Sequence, residues 1–120
     1  MKIQIKKVYE PVEKNDGLRI FADRFWPRGM KKAELPYDIW AKNITPSDNL
    51  RQLFHQNPEK NWDVFCKDYK KELETSADFT KLIKEIMELN PSCVTLLYAF
   101  RNREKNHAVI LQNEMEKYLK

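Results

Sequence analysis

Two glycines and two cysteines in 120 residues leave this chain few backbone pivots and little thiol chemistry. No P-loop and no dinucleotide glycine fingerprint is present, so a nucleotide is only one candidate among possible ligands. Cys66 and Cys93 belong to no Cys-x-x-Cys pair and to no Cys/His set with metal spacing. Both read as small buried apolar groups, and neither a metal nor a cofactor is expected. No window approaches the roughly 20 apolar residues of a membrane span. The start, Met1 to Lys7, has no apolar run of signal-peptide length behind it. The expectation is a cytosolic protein with no membrane partner. Strong charge of one sign is also missing, since 22 Lys and Arg face 18 Asp and Glu for a net +4. Nucleic-acid domains usually concentrate more basic charge on one face, so this excess reads as a lysine-rich solvated surface.

What remains is the composition of a folded chain, 42% hydrophobic, 12% aromatic and 33% charged, matching one domain over residues 1–120. Ile3, Ile5 and Val8 mark a short, lysine-flanked first strand that Pro11 ends. Asn15-Asp16-Gly17 is turn chemistry. So short a connection favours an antiparallel hairpin with the next strand, because parallel crossovers usually need a dozen or more residues; a split arrangement is the alternative. From Leu18 to Phe25 apolar side chains alternate until Trp26-Pro27 closes the strand. Pro27-Arg28-Gly29 reads as a turn with Gly at positive φ, displaying Arg28.

Further along, Met30 to Pro36 has room for one helical turn, and Tyr37 to Ile44 reads as a short strand with Lys42 near its end. Ser47 is placed to cap a helix carrying Leu50, Leu53 and Phe54. Asn57-Pro58 opens another, to about Glu74, with Trp62, Phe65, Cys66, Tyr69 and Leu73 in one stripe. That aromatic stripe is read as core rather than as a base-stacking platform. Ser76 caps a helix from Ala77 to about Leu89, whose stripe is Phe79, Leu82, Ile83, Ile86 and Leu89. Ser92 to Phe100 is the most apolar run, a strand buried on both faces and suited to a central parallel position. A final helix from about Asn106 carries Ala108, Leu111, Met115 and Tyr118. The expected fold is a small α/β domain with a short mixed, mainly parallel sheet of about four strands flanked by helices.

Ligands of such sheets gather at the carboxyl ends of the strands. Segments 23–28, 42–47 and 101–107 should meet there, bringing Arg24, Arg28, Lys42 and Arg101 as cations, Asp23 as carboxylate and Ser47 as hydroxyl. Asn106 and His107 stand at a helix start. Arginine forks and helix N-termini suit phosphate or carboxylate. His107 and Asp23 are the candidate acid–base pair, Trp26 a packed lid or a stacking surface, and Asn106 a cap or a ligand contact. Asp23 has a second reading, ion pairing with Arg24 and Arg28, and His55 reads as surface.

The residues from Arg19 to Gly29, Asp38-Ile39-Trp40-Ala41-Lys42, Pro46-Ser47, Leu50-Arg51, Phe54, Trp62, Phe65, Tyr69, Leu96-Leu97-Tyr98-Ala99 and Asn106-His107-Ala108 carry a resemblance over nearly the whole chain. It resembles the YeaO-like branch of the domain of unknown function 488 family. That resemblance implies a small α/β domain of bacterial or archaeal cytosol and brings no established activity. Other branches have Cys-His-Arg where this chain has Asn106-His107-Ala108, so thiol chemistry is not carried over.

The leading expectation is a protein that binds, or binds and acts on, a small phosphate- or carboxylate-bearing ligand. Proton transfer or water activation suits the inventory better than a covalent intermediate. A nucleic-acid accessory domain using the arginines with Lys31, Lys32 and Trp26 is the alternative, and an interaction module without ligand is the third reading.

Overall fold

A computed structural model describes residues 1–119. Its sheet has four strands: β1 (Lys2–Lys7), β2 (Leu18–Phe21), β3 (Ile39–Trp40) and β4 (Cys93–Tyr98). Their order is β1-β4-β2-β3, and every pairing is parallel. β4 occupies the interior of the sheet, with Val94 opposite Ile3 on one side and Leu18 on the other. Every residue of β4 is buried, which its unbroken apolar run requires.

Four helices follow the capping signals: α1 (Asp48–Gln56), α2 (Pro58–Glu74), α3 (Ala77–Leu89) and α4 (His107–Tyr118). Their caps accept backbone N–H groups as expected: Ser47 from Leu50, Asn57 from Lys60, Ser76 from Phe79 and Asn106 from Val109. All four helices contribute to one core with Ile3, Ile20, Val94 and Leu96. The opposite sheet face carries a smaller cluster of Val8, Phe21, Leu35 and Leu97, against which Trp26, Met30 and Trp40 pack. Two expected stripe members lie outside the core, Leu89 at 56% exposure and Tyr118 at 52%. Each is the last residue of its helix.

The hairpin expected between the first two strands does not form; β4 stands between them. Residues 8–17 instead cross β4, and the Asp16 carbonyl accepts the Thr95 hydroxyl at 2.6 Å. A buried ionic cluster holds this crossing. The Asp16 carboxylate takes Lys6 Nζ at 2.9 Å and Arg19 Nη1, with both cationic side chains largely buried too. Gly17 (φ 65°, ψ −129°) then passes so close to β4 that an added Cβ would sit 2.2 Å from the Cys93 carbonyl oxygen. Polar tertiary contacts of this kind leave no hydrophobic periodicity, so turn chemistry alone suggested the wrong pairing.

β3 is also shorter than the expected strand over 37–44. β2 ends at Phe21, whose carbonyl accepts the Ala41 N–H at 2.8 Å, and beyond that point no partner edge remains. Lys42–Ile44 tightens into a 3₁₀ turn. Lys32–Glu34 forms another, where one helical turn was expected.

Candidate functional site

The carboxyl ends of β2 and β4 are joined by Asp23. Its Oδ2 accepts the Ala99 N–H at 2.9 Å, and its carbonyl accepts Trp40 Nε1 at 2.7 Å. One residue therefore ties the chain just beyond β2 to the last residue of β3 and to the chain just beyond β4. α4 starts opposite it because the 102–106 loop is built to end in a cap. Asn102 Oδ1 accepts the Glu104 and Lys105 N–H groups, and Asn106 Nδ2 donates to the Asn102 carbonyl at 2.9 Å.

This arrangement sets His107 Nε2 2.8 Å from the Ala22 carbonyl and 3.0 Å from Asp23 Oδ1. A carbonyl oxygen only accepts, so Nε2 carries the hydrogen and Nδ1 is the nitrogen left to take or give a proton. The N–H is directed at the carbonyl, and Asp23 Oδ1 is left buried without a hydrogen bond.

Asp23 and His107 line a cavity of about 480 Å³, a size ordinary for small-molecule sites. Arg24, Arg51 and Arg101 supply its cations. Phe25, Phe54, Phe65 and Phe100 supply its apolar wall, with Phe54 stacked on Phe65 at 4.3 Å and tilted against Phe100 at 5.3 Å between centroids. Asp48 Oδ1 receives Arg24 Nη1 and, at 3.2 Å, Arg51 Nη2. The Arg51 guanidinium also lies over the Phe25 ring, 5.2 Å from its centroid, while its Nε is buried without a partner. His55 is exposed at the surface yet lines the same cavity, 5.5 Å from the Phe100 ring. Partial desolvation, then Arg51 and His107, hold its pKa below the ordinary histidine value.

Of the residues singled out in the sequence, Asp23, Arg24, Arg101 and His107 therefore meet in one cavity. The others lie elsewhere. Arg28 is exposed on the turn completed by Gly29 (φ 77°), outside the cavity lining. Lys42 sits over the Trp40 ring at 4.3 Å and borders a second, polar depression of about 350 Å³ that also contains Ser47. The Ser47 hydroxyl is committed, donating to Glu72 Oε2 at 2.6 Å and accepting from Leu50. Asn106 is fully buried in its capping role. Trp26 donates to the Met30 carbonyl at 2.6 Å and packs against Phe21, Tyr37 and Trp40. Asp23 makes no ion pair with Arg24 or Arg28; Arg24 turns to Asp48 instead.

Sequence reasoning did not assign Arg51, His55 and Asp48 to the site. They recur along α1 at spacings of three and four, the signature of one helix face, but nothing in that periodicity says the face overlooks a cavity. Among the described residues, no group of three or more His, Cys, Asp or Glu side chains is placed to hold a metal ion. Neither cysteine lines the cavity, and burial pushes the pKa of the Cys66 thiol up, away from the thiolate form.

The fold and cavity define a class: a small parallel α/β domain with a histidine–carboxylate pair and an arginine-bearing cavity at the carboxyl ends of its strands. The chain belongs to the family described as the inactive DUF488-N3 subclade, whose model matches residues 2–120. It is 43% identical to the uncharacterized protein YeaO of Escherichia coli (strain K12) over 111 residues, covering 92% of this chain and 94% of that protein. It is 36% identical to the uncharacterized proteins Rv3073c of Mycobacterium tuberculosis and Mb3100c of Mycobacterium bovis over 110 residues, 92% of this chain and 90% of each. No solved structure matches. Among the described residues, no helix is long and apolar enough to cross a membrane.

Proposed function

We propose that this chain is a cytoplasmic domain that binds a small carboxylate- or phosphate-bearing ligand at the carboxyl ends of its strands. Arg24, Arg51 and Arg101 meet the anion, and His107 offers Nδ1 to the ligand. One observation carries this reading. Among the described residues, the buried side-chain polar atoms without a hydrogen bond are Asp23 Oδ1 and Arg51 Nε, and both residues line the same cavity. Each such orphan costs about 1–3 kcal/mol and calls for an explanation. Arg51 Nε is a donor suited to an oxygen of the anion, whereas Asp23 Oδ1 only accepts and suits an O–H or N–H group elsewhere on the ligand.

Binding without turnover is the reading that fits the inventory. The Thr45 hydroxyl at the cavity donates to the Lys42 carbonyl at 3.0 Å, and no thiol lines the wall. The family's description as inactive agrees with that restriction. Two unpaired cysteines suit a reducing cytosol.

The test is thermal unfolding with a panel of carboxylates, phosphorylated metabolites and short oligonucleotides, at low and moderate salt, for wild type, Arg101→Ala and Arg28→Ala. Saturation at 100 times Kd adds about 2.7 kcal/mol, or roughly 10 °C for a chain of this size. A shift by one small anion, lost in Arg101→Ala and kept in Arg28→Ala, supports the cavity. Shifts from oligonucleotides alone that fade steeply with salt would replace this reading with nucleic-acid binding. Silence across the panel would leave an interaction module.

A further inference from the structure

Building on the anion-binding reading, we infer that the ligand is an aromatic anion and that it enters by displacing Asp48 from Arg24 and Arg51. Asp48 is the first residue of α1, and its side chain is 58% exposed. A single oxygen, Oδ1, receives both guanidinium groups at the cavity. The chain's own carboxylate, outside the cavity lining, thus already engages two of the guanidinium groups that an anionic head group would meet.

Its fit there is incomplete. Asp48 meets Arg51 through Nη2 alone, at 3.2 Å, and leaves Nε buried and unpaired. A carboxylate or phosphate presents two oxygens, and a guanidinium accepts them as a fork through Nε and one Nη. Nε is closed off while Asp48 holds the guanidinium, and a two-oxygen ligand that releases Asp48 and turns the Arg51 fork toward the cavity satisfies it. The head group is therefore a better partner for Arg51 than the residue it replaces.

The body follows from the wall. Phe25 is 63% exposed beside the Arg51 guanidinium, although it is a large apolar residue in a chain with a well-filled core. Behind it, Phe54, Phe65 and Phe100 continue the aromatic surface, and His55 adds a flat ring 5.5 Å from Phe100. Rings favour such walls through offset and edge contacts. A cavity of about 150 Å³ lined by apolar side chains already holds benzene; this one, at about 480 Å³, has room for a ring system and its anionic substituent.

The experiment is calorimetric titration of acetate, phenylacetate, inorganic phosphate and phenyl phosphate into wild type, Asp48→Asn and Glu88→Gln. Circular dichroism checks that each variant is folded. Glu88→Gln removes the same charge from the exposed side of α3, away from the cavity. The phenyl-bearing anions should bind about 10- to 100-fold more tightly than their bare counterparts, as burial of one ring implies. Asp48→Asn should tighten both by about three- to tenfold, the yield of freeing two exposed ion pairs, while Glu88→Gln stays within about twofold of wild type. Equal affinities for acetate and phenylacetate, with phosphate and phenyl phosphate also equal, would overturn the aromatic body and leave the anion reading standing. Unchanged or weakened binding in Asp48→Asn, or an equal gain in Glu88→Gln, would overturn the displacement. Failure of all four anions to bind either wild type or Asp48→Asn would remove the anion-binding reading itself.

Discussion

Gly17→Ala should be among the most damaging single-atom additions this chain can receive, and Gly29→Ala supplies its control. Both glycines have positive φ, 65° and 77°, so a Cβ at either position is strained. For Gly29 nothing lies within 4 Å of the added carbon. Its cost is conformational alone, about 1–2 kcal/mol. Gly17, with ψ at −129°, lies in a region essentially reserved for glycine, where strain reaches about 3 kcal/mol. Its added Cβ would also stand 2.2 Å from the Cys93 carbonyl oxygen and 2.9 Å from the carbonyl carbon, both backbone atoms of the interior strand β4. Forcing such an atom in adds about 1–3 kcal/mol more. The sum, about 4–6 kcal/mol, is a large part of a typical domain's stability of about 5–15 kcal/mol. Urea unfolding followed by circular dichroism at 222 nm measures both variants. Equal losses in the two, or a loss under about 2 kcal/mol in Gly17→Ala, would refute the argument from close approach.

Asp16→Ala leaves Arg19 largely buried without its carboxylate and Lys6 with only the exposed Glu13 at 3.3 Å, and should cost about 3–5 kcal/mol by urea unfolding; a loss below about 1 kcal/mol would count against a buried cluster. Burial pushes the Asp16 carboxyl up, but its hydrogen bonds from Lys6, the Glu13 N–H and Arg19 outweigh that and hold it below its usual 3.8. Its contribution is therefore present above that value and lost as pH falls through the lower folded one, so the gap between wild type and Asp16→Ala should close in strong acid. His55 has the opposite charge logic. Its proton is held less tightly in the fold than in the unfolded chain, so stability falls as pH drops from above the ordinary value of 6.5 toward the folded one. A bound anion favours the imidazolium, and calorimetry from pH 7.5 down to about pH 5 should find affinity rising across the same window. The same rise in His55→Asn would show that another group carries it. Arg28→Ala should leave both stability and anion affinity unchanged within error, because the side chain is exposed and stands outside the cavity.

The parts of this fold that could be read from the chain were the local ones. Ser47, Asn57, Ser76 and Asn106 announced four helix starts because capping is a contact between residues three apart. β4 was recognisable because burial on both faces demands an unbroken apolar run. Strand order was not, since the buried Asp16 that anchors the crossing between β1 and β2 looks in sequence like half of an Asp-Gly turn. The site divided the same way. Asp23, Arg24, Arg101 and His107 follow strand ends or open a helix, so the rule for open α/β sheets gathers them. Arg28 and Trp26, only a few residues further on, lie beyond the point where the chain turns toward the other sheet face and Leu35. Arg51 and His55 depend on how α1 is rotated over the strand ends, which its packing on α2 decides.

The position of β4 also bears on how the protein is made. β1 and β2 share no hydrogen bond; each finds its partner in a strand that begins only at Cys93. A ribosome releasing the chain from its amino end exposes the first two strands long before the segment that unites them. Lys2 must wait for Cys93, and closing so long a loop is the slow kind of step in folding. Shortening the chain from its carboxyl end past Tyr98 would consequently remove the joint of the whole sheet, along with Ala99, the partner that Asp23 needs. The last quarter of the polypeptide decides when the first quarter becomes structured, and the cavity can exist only after both are in place.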